Sequence, residues 1–422
     1  MSRPESTAQR AAASGRLRDR LGPGLVFAAA AVGTSHVVQS TRAGADFGLT
    51  LGLLILAVCA LKYPLFRFAA EYAAATGENL IRGYGRQGRS LVLIMFVTSA
   101  IEAVAATAGV SLVSASILKW ITGVQIGDVP AAVGLLVATA LIVAVGRYRL
   151  LESLTGILVL LFSGLTLITT LACLPALASA DDLLPAFPLT TENWSFAIAV
   201  SGWMPIGNTA AMMLAAWILA KTRGGERSVT AARFDFNLGY LASVVLALCF
   251  LVIGAVVLHG SGERMPGASG AFVTTFVGLY TRAIGGWSTV LVSLAALAVM
   301  YSTLLAIVDG FPRMLGEFAA ELSGAHGEDR AAAWYLPAML VVVLAAGALL
   351  YFLLGAFAAF IDVVTFTGFL AAPVIAWANE RVIRGDNVPL DVRPGAALVR
   401  WNRLAVGLLT LATLGYVYLR WV

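Results

Sequence analysis

The chain has 422 residues, of which 59% are hydrophobic and only 12% charged, with a mean hydropathy of +0.88. Soluble domains carry about 25% charged residues, so the composition excludes a water-soluble globular protein and points to an integral membrane protein. The net charge of +5 and pI near 9.2 come from basic residues spread over many short loops, a distribution that argues against nucleic acid as a partner.

Residues 1–20 are polar and carry Arg3, Arg10, Arg16, Arg18 and Arg20; they read as a cytoplasmic tail without the apolar core and cleavage site of a secretory signal. Crossing a bilayer takes about 20 apolar residues. Runs of that kind fall at 25–43, 49–73, 91–117, 129–146, 151–174, 194–220, 236–258, 287–309, 334–354, 357–379 and 404–420, which predicts an all-α membrane protein of eleven transmembrane helices. With the N-terminus inside, most of the 28 Lys and Arg residues fall on the cytoplasmic side. That bias is the positive-inside signature, and it puts the C-terminus outside.

The first run, LVFAAAAVGTSHVVQSTRA, is interrupted at Gly33-Thr34-Ser35-His36. The sixth is interrupted at Ser201-Gly202-Trp203-Met204-Pro205-Ile206-Gly207-Asn208. Hydrocarbon offers backbone N–H and C=O groups no partner, so a helix opens at mid-membrane depth only where protein or a hydrated cavity satisfies them. Two broken helices facing each other make such a cavity, the place where transporters hold their cargo. Breaks in the first and sixth helices, with a long outer connection at about 175–193, predict two five-helix units inserted in opposite senses plus one further helix. The expected organisation is a tail at 1–20, a first repeat at 21–175, an outer linker at 176–193, a second repeat at 194–385, and a loop with the last helix at 386–422.

Two local patterns are set aside. Gly83-Tyr84-Gly85-Arg86-Gln87-Gly88 matches GxGxxG but follows a membrane helix instead of a strand, so it does not indicate a nucleotide site. Asn193-Trp194-Ser195 is a glycosylation sequon, meaningful only in a eukaryotic secretory setting. Cys59, Cys173 and Cys249 each lie inside an apolar run without CxxC spacing and read as small buried hydrophobes.

Several short motifs resemble the Nramp family of metal-ion transporters. They are LGPGL at 21–25 leading into the broken first helix, Leu61-Lys62-Tyr63-Pro64 with Arg67-Phe68, Ala74-Ala75-Thr76-Gly77, Arg149-Leu150-Leu151-Glu152, and Met204-Pro205 in the sixth helix. The resemblance spans nearly the whole chain as scattered matches. It implies the leucine-transporter fold, a 5+5 inverted repeat with an eleventh helix, and co-transport of divalent metal with protons. The chain departs from the family at the site itself. Gly33-Thr34-Ser35-His36 stands where the family has Asp-Pro-Gly-Asn, and Met204-Pro205-Ile206 where it has Met-Pro-His. This pattern marks a divergent, Nramp-related branch.

The candidate substrate-binding residues are Gly33, Thr34, Ser35, His36, Gln39, Ser201, Gly202, Met204 and Asn208. An imidazole at an unwound midpoint can ligate a borderline metal, hydrogen-bond an organic solute or titrate near neutral pH, and it can equally cap freed carbonyls. His36 and Met204 are thus the candidate metal ligands, with packing as the alternative for the thioether. Trp203 either lines the cavity or faces lipid. Gln39 shares a helix face with His36, and Arg42 lies farther out, as an anion-attracting residue at the mouth or as a snorkelling one. Glu102, deep in the third span, would cost about 3 kcal/mol if ionised at the bilayer centre, so a polar partner is expected; the family resemblance implies proton routing at this position, with a structural hydrogen bond as the alternative, and Glu102 and His36 are the candidates for proton coupling. Asp309 and Asp362 lie nearer span ends and read as solvated caps.

The leading functional expectation is therefore a secondary transporter, a symporter of the bacterial inner membrane, moving a divalent metal ion by alternating access between broken helices 1 and 6. The alternative is a carrier of a small organic solute or anion, for which the missing carboxylate is an advantage. No nucleophile–base pair or sizeable soluble domain suggests an enzyme. No cofactor is implied beyond the transported metal itself, and the expected partners are the lipid bilayer and the passenger.

Overall fold

The computed structural model describes residues 22–145, 149–179, 183–222, 227–261, 263–324, 328–354 and 357–421. The expected tail at 1–20, with Asp181, Asp182 and Arg223, lies outside the described residues. The chain is helical throughout its regular structure: α1 (Pro23–Ala31), a π-helical segment (Ser35–Ser40) that runs into α2 (Thr41–Phe47), α3 (Gly52–Thr76), α4 (Leu80–Gln87), α5 (Arg89–Thr122), α6 (Asp128–Val145), α7 (Arg149–Ser179) and α8 (Thr191–Gly202). The second part contains α9 (Ala210–Lys221), α10 (Val229–Val257), α11 (Ser269–Ile284), α12 (Ser288–Leu322), α13 (Glu328–Ala333), α14 (Tyr335–Leu353), α15 (Phe357–Ile383) and α16 (Ala396–Trp421).

Eight continuous helices among the described residues are long and apolar enough to cross a membrane. The first and sixth runs are each divided between two half-helices, as their sequence breaks led one to expect. Large apolar side chains such as Leu53, Leu141, Leu344 and Leu411 project outward, which suits a lipid-facing surface. Helices α4 and α11 fall where the sequence suggested only connections. In α4 the glycine pattern of the nucleotide-like motif is a packing device: a Cβ at Gly83 would strike Val382 and Tyr72, and one at Gly85 would strike Glu321. All three cysteines are free and buried, as expected.

The broken first helix packs along α10. Glycines let the two backbones approach closely, since a Cβ at Gly24 or Gly239 would strike the facing backbone, and the same holds at Gly44 and Gly254. Pro23 suits the first turn of α1, and the orphan N–H groups there are satisfied from across the interface. The Asp235 carboxylate accepts from Gly24 N at 2.7 Å and from Gly22 N at 3.0 Å. Phe27 on α1 packs edge-on against Phe66 and Phe236 and stacks on Tyr240, anchoring this half-helix in an aromatic cluster.

Candidate transport site between the broken helices

The first break is narrower than the sequence implied. Helix α1 ends at Ala31, Val32 and Gly33 are non-helical, and Thr34 already has helical dihedrals. Ser35 to Ser40 then wind as π-helix, a geometry that often accompanies functional sites because it re-aims side chains. The second break covers 203–209. Pro205 lacks the N–H that would extend α8, and the residue before a proline is held out of helical geometry.

The two breaks converge. Gly33, Thr34 and Ser35 from the first and Trp203, Ile206, Gly207 and Thr209 from the second line one cavity of about 70 Å³. Glu102 of α5 and Thr303 of α12 complete its polar lining. From the breaks the cavity extends along Ala30 of α1, Met213 and Trp217 of α9, and Phe311 of α12. Trp203 is buried and lines the cavity, which decides against its facing lipid.

Three polar atoms of this lining are buried without a hydrogen-bond partner among the described residues: Thr34 Oγ1, Glu102 Oε2 and Trp203 Nε1. The other Glu102 oxygen accepts from Thr209 N at 3.4 Å. Gly207 leaves room for that carboxylate, since a Cβ there would collide with Glu102 Oε1. Buried polar groups are nearly always paired, so these three are exceptions among the described residues.

The remaining predicted residues lie beside the cavity, outside its lining. His36 is fully buried and turned toward α10. Its Nε2 meets Ser243 O at 2.8 Å, and its Nδ1 meets Ser35 Oγ at 3.0 Å. Met204 Sδ accepts from Ser40 Oγ at 3.9 Å. Asn208 Nδ2 donates to Gly368 O at 2.5 Å, while its Oδ1 has no partner among the described residues. Ser201 Oγ donates to Ala197 O at 2.8 Å, and Gly202 packs directly on the Thr365 carbonyl. Among the described residues no group of three His, Cys, Asp or Glu side chains is placed to hold a metal ion.

Beyond the first break, on the α2 side, Arg42 pairs with Asp362. Arg42 Nη1 lies 2.7 Å from Asp362 Oδ1 and Nη2 lies 3.3 Å from Oδ2. Gln39 Nε2 donates to Asp362 Oδ1 at 3.0 Å and to Thr365 Oγ1 at 2.9 Å, and the Arg42 guanidinium sits 4.6 Å over the Phe196 ring. The expectation that Asp362 is a solvated cap is therefore corrected: it is the acceptor that ties α15 to the first helix. Arg42 is largely buried in this pair. Asp309 likewise is no solvated end cap. It lies within α12, paired with Arg313 at 2.8 Å and accepting from Tyr335 Oη at 2.7 Å.

Sequence reasoning named Lys62 only within a family-like motif, with no role, and did not name Asp235. Lys62 Nζ donates to Ser201 O at 2.8 Å and Gly202 O at 2.6 Å, so it caps the end of α8. Its signal was available in the sequence as a lone ammonium in the middle of an apolar span.

No protein-family model matches the chain. It is 32% identical over 377 residues to the uncharacterized protein PM0681 of Pasteurella multocida (strain Pm70), a match covering 87% of this chain and 86% of the relative. The chain belongs to the same family as that protein. Its fold is shared more widely. A mutant of the manganese transporter of Eremococcus coleocola superposes with a TM-score of 0.71 at 17% identity, covering 98% of this chain and 88% of that chain. MhsT in complex with L-phenylalanine gives 0.61 at 13% identity, covering 94% and 98%. Mhp1, a nucleobase-cation-symport-1 family transporter, gives 0.53 at 15% identity, covering 94% and 92%. At these identities the likeness is one of fold: the chain is an integral membrane protein with the leucine-transporter architecture.

Proposed function

We propose that this protein is a secondary transporter that exposes the cavity between its broken helices alternately to the two sides of the membrane. Its passenger, in this reading, is a small and largely apolar organic solute bearing a hydrogen-bond donor or cationic group. The observation that carries the proposal is one mostly apolar cavity lined from both broken helices, with Thr34 and Glu102 among its few polar residues. Mostly apolar lining with a few placed polar groups is what a small-molecule site offers. Glu102 would receive the donor or cation, and Thr34 would orient the solute.

Transport of a divalent transition metal in the manner of the Nramp family is the second reading, and the fold shared with a manganese transporter is what supports it. Its candidate ligands are the weak point. Both His36 nitrogens are occupied, Met204 sulfur is engaged by Ser40, and Glu102 is the sole carboxylate in the lining. Glu102 is the group best placed to carry a coupled proton under either reading, and His36, sealed against α10, is less suited to that role. The cytoplasmic membrane of a bacterium, with the N-terminus inside, is the proposed location.

The test is binding to purified protein in detergent, comparing manganese, iron, cobalt and cadmium with a panel of small amines, amino acids and nucleobases. Binding of an organic solute that weakens by about tenfold or more in Glu102→Gln, the loss of one charge-assisted hydrogen bond, is the expected result. Saturable binding of manganese or cadmium with no organic ligand would overturn the solute assignment in favour of the metal.

A further inference from the structure

Lys62 is a long cationic side chain with no exposed surface, placed in the middle of α3. Removing an ammonium from water costs several kcal/mol even after relaxation, on the order of what a buried ion needs to recover from strong partners. The partners here are the carbonyl oxygens of Ser201 and Gly202, at 2.8 and 2.6 Å. These are the last two residues of α8, immediately before the second break. The final carbonyls of a helix have no intrahelical partner, and the aligned peptide dipoles leave about half a negative charge there. Half-helix C-termini and unwound carbonyls are the groups that coordinate coupling cations in carriers. The oxygens are also held in place. Gly202 is seated on the Thr365 carbonyl, and its own oxygen lies against Gly368 of α15. The titratable groups facing Lys62 are Glu102 from α5 and Cys59 from its own helix.

We infer that the end of α8 is a monovalent-cation site filled from within the chain, with the Lys62 ammonium as a tethered cation, and that shortening this side chain opens the site to free Na+, K+ or a small alkylammonium. The site itself stands independently of the cargo. Only its role in coupling rests on the transporter reading, in which a covalently held charge removes the need for a dissolved co-ion at this break.

The experiment therefore reads the site without a transport assay. Thermal unfolding of detergent-purified wild type and Lys62→Ala is followed in chloride salts of Na+, K+, n-propylammonium and the bulky N-methylglucamine at about 100 mM, where a binding cation stabilises the folded state by mass action. The expected result is a Lys62→Ala midpoint lowered by about 3 °C or more in N-methylglucamine and restored by at least one small cation, with the wild type indifferent to the choice of salt. A Lys62→Ala midpoint equal to the wild type's, or a lowered one that no small cation restores, overturns the inference, as does a wild type as responsive as the variant. Should Lys62→Ala yield no folded protein, Lys62→Met, similar in length and neutral, takes its place. A midpoint at or above the wild type's then shows the charge to be dispensable and overturns the inference, and a fall of several degrees upholds it. Failure of the transporter reading would instead appear as absent solute and metal binding in wild type with this cation response intact.

Discussion

Replacing Asp362 by Asn should loosen the tie between α15 and the α2 side of the first helix. The change keeps the side-chain shape and removes the charge that Arg42 grips through two contacts, at 2.7 and 3.3 Å, and that Gln39 supports at 3.0 Å. Hydrogen bonds to charged groups contribute about 1.5–3 kcal/mol each. The side chains are 12% and 27% exposed, so solvent screening holds the pair toward the lower end of that range. A loss of about 1.5–2 kcal/mol shifts the equilibrium between closed and open forms roughly 10- to 30-fold. The shift is measurable with a cysteine at Thr34, which lines the cavity, in a background where the buried Cys59, Cys173 and Cys249 are Ala. A membrane-impermeant maleimide applied from the Arg42 side should label Thr34→Cys roughly tenfold faster when Asp362→Asn is present. Exchanging the charges, Arg42→Asp with Asp362→Arg, should recover part of the protection. An unchanged labelling rate in Asp362→Asn would refute the reading of this pair as a barrier.

Gly202→Ala should destabilise the protein by more than about 2 kcal/mol, because the new methyl would meet the Thr365 carbonyl, backbone that cannot swing aside; a lower unfolding midpoint in detergent checks this, and an unaltered one would show that α8 and α15 are not in close backbone contact. Glu78, in the connection before α4, is held below the usual carboxylate range first by its hydrogen bond to Arg86, at 2.6 Å, against the opposing effect of partial burial. A depressed carboxyl contributes stability that is present above its unfolded pKa of about 4.3 and is lost as pH falls through the lower folded value. Amide exchange in α4, corrected for intrinsic rates, should therefore accelerate relative to α5 on acidification below about pH 4, and Glu78→Gln should abolish that pH dependence. Equal acid sensitivity in the variant would transfer the effect to other groups.

Much of the architecture was legible before any coordinates. Hydrocarbon forces every span to satisfy its own backbone, so the apolar runs and the Gly, Ser and Pro interruptions at 33–36 and 201–208 announced both the helices and the two places where they break. Glu102 was legible for the same reason: a carboxylate deep in an apolar run has to be used or paired. The amphipathic α4 and α11 escaped because they are too short and too polar to register as spans. What a polar residue beside a break faces was not legible. His36 sits next to the cavity in sequence, yet the π-helical winding of Ser35–Ser40 turns its ring onto Ser243. Asp362 looked like a helix cap until its partner, 320 residues away in sequence, was brought to 2.7 Å.

The sequence alone thus determined that the chain crosses a membrane as helices, that two of those helices open midway, and that a carboxylate lies at their depth. These properties follow from local composition meeting an apolar solvent. Only the tertiary structure decided that Thr34, Glu102 and Trp203 share one cavity while His36 and Met204 lie beside it, and that Lys62 and Asp362 close their contacts across helices. The physical reason is that side-chain direction at a broken helix depends on the local winding and on the neighbour it packs against, and neither is encoded in the residues of the break themselves.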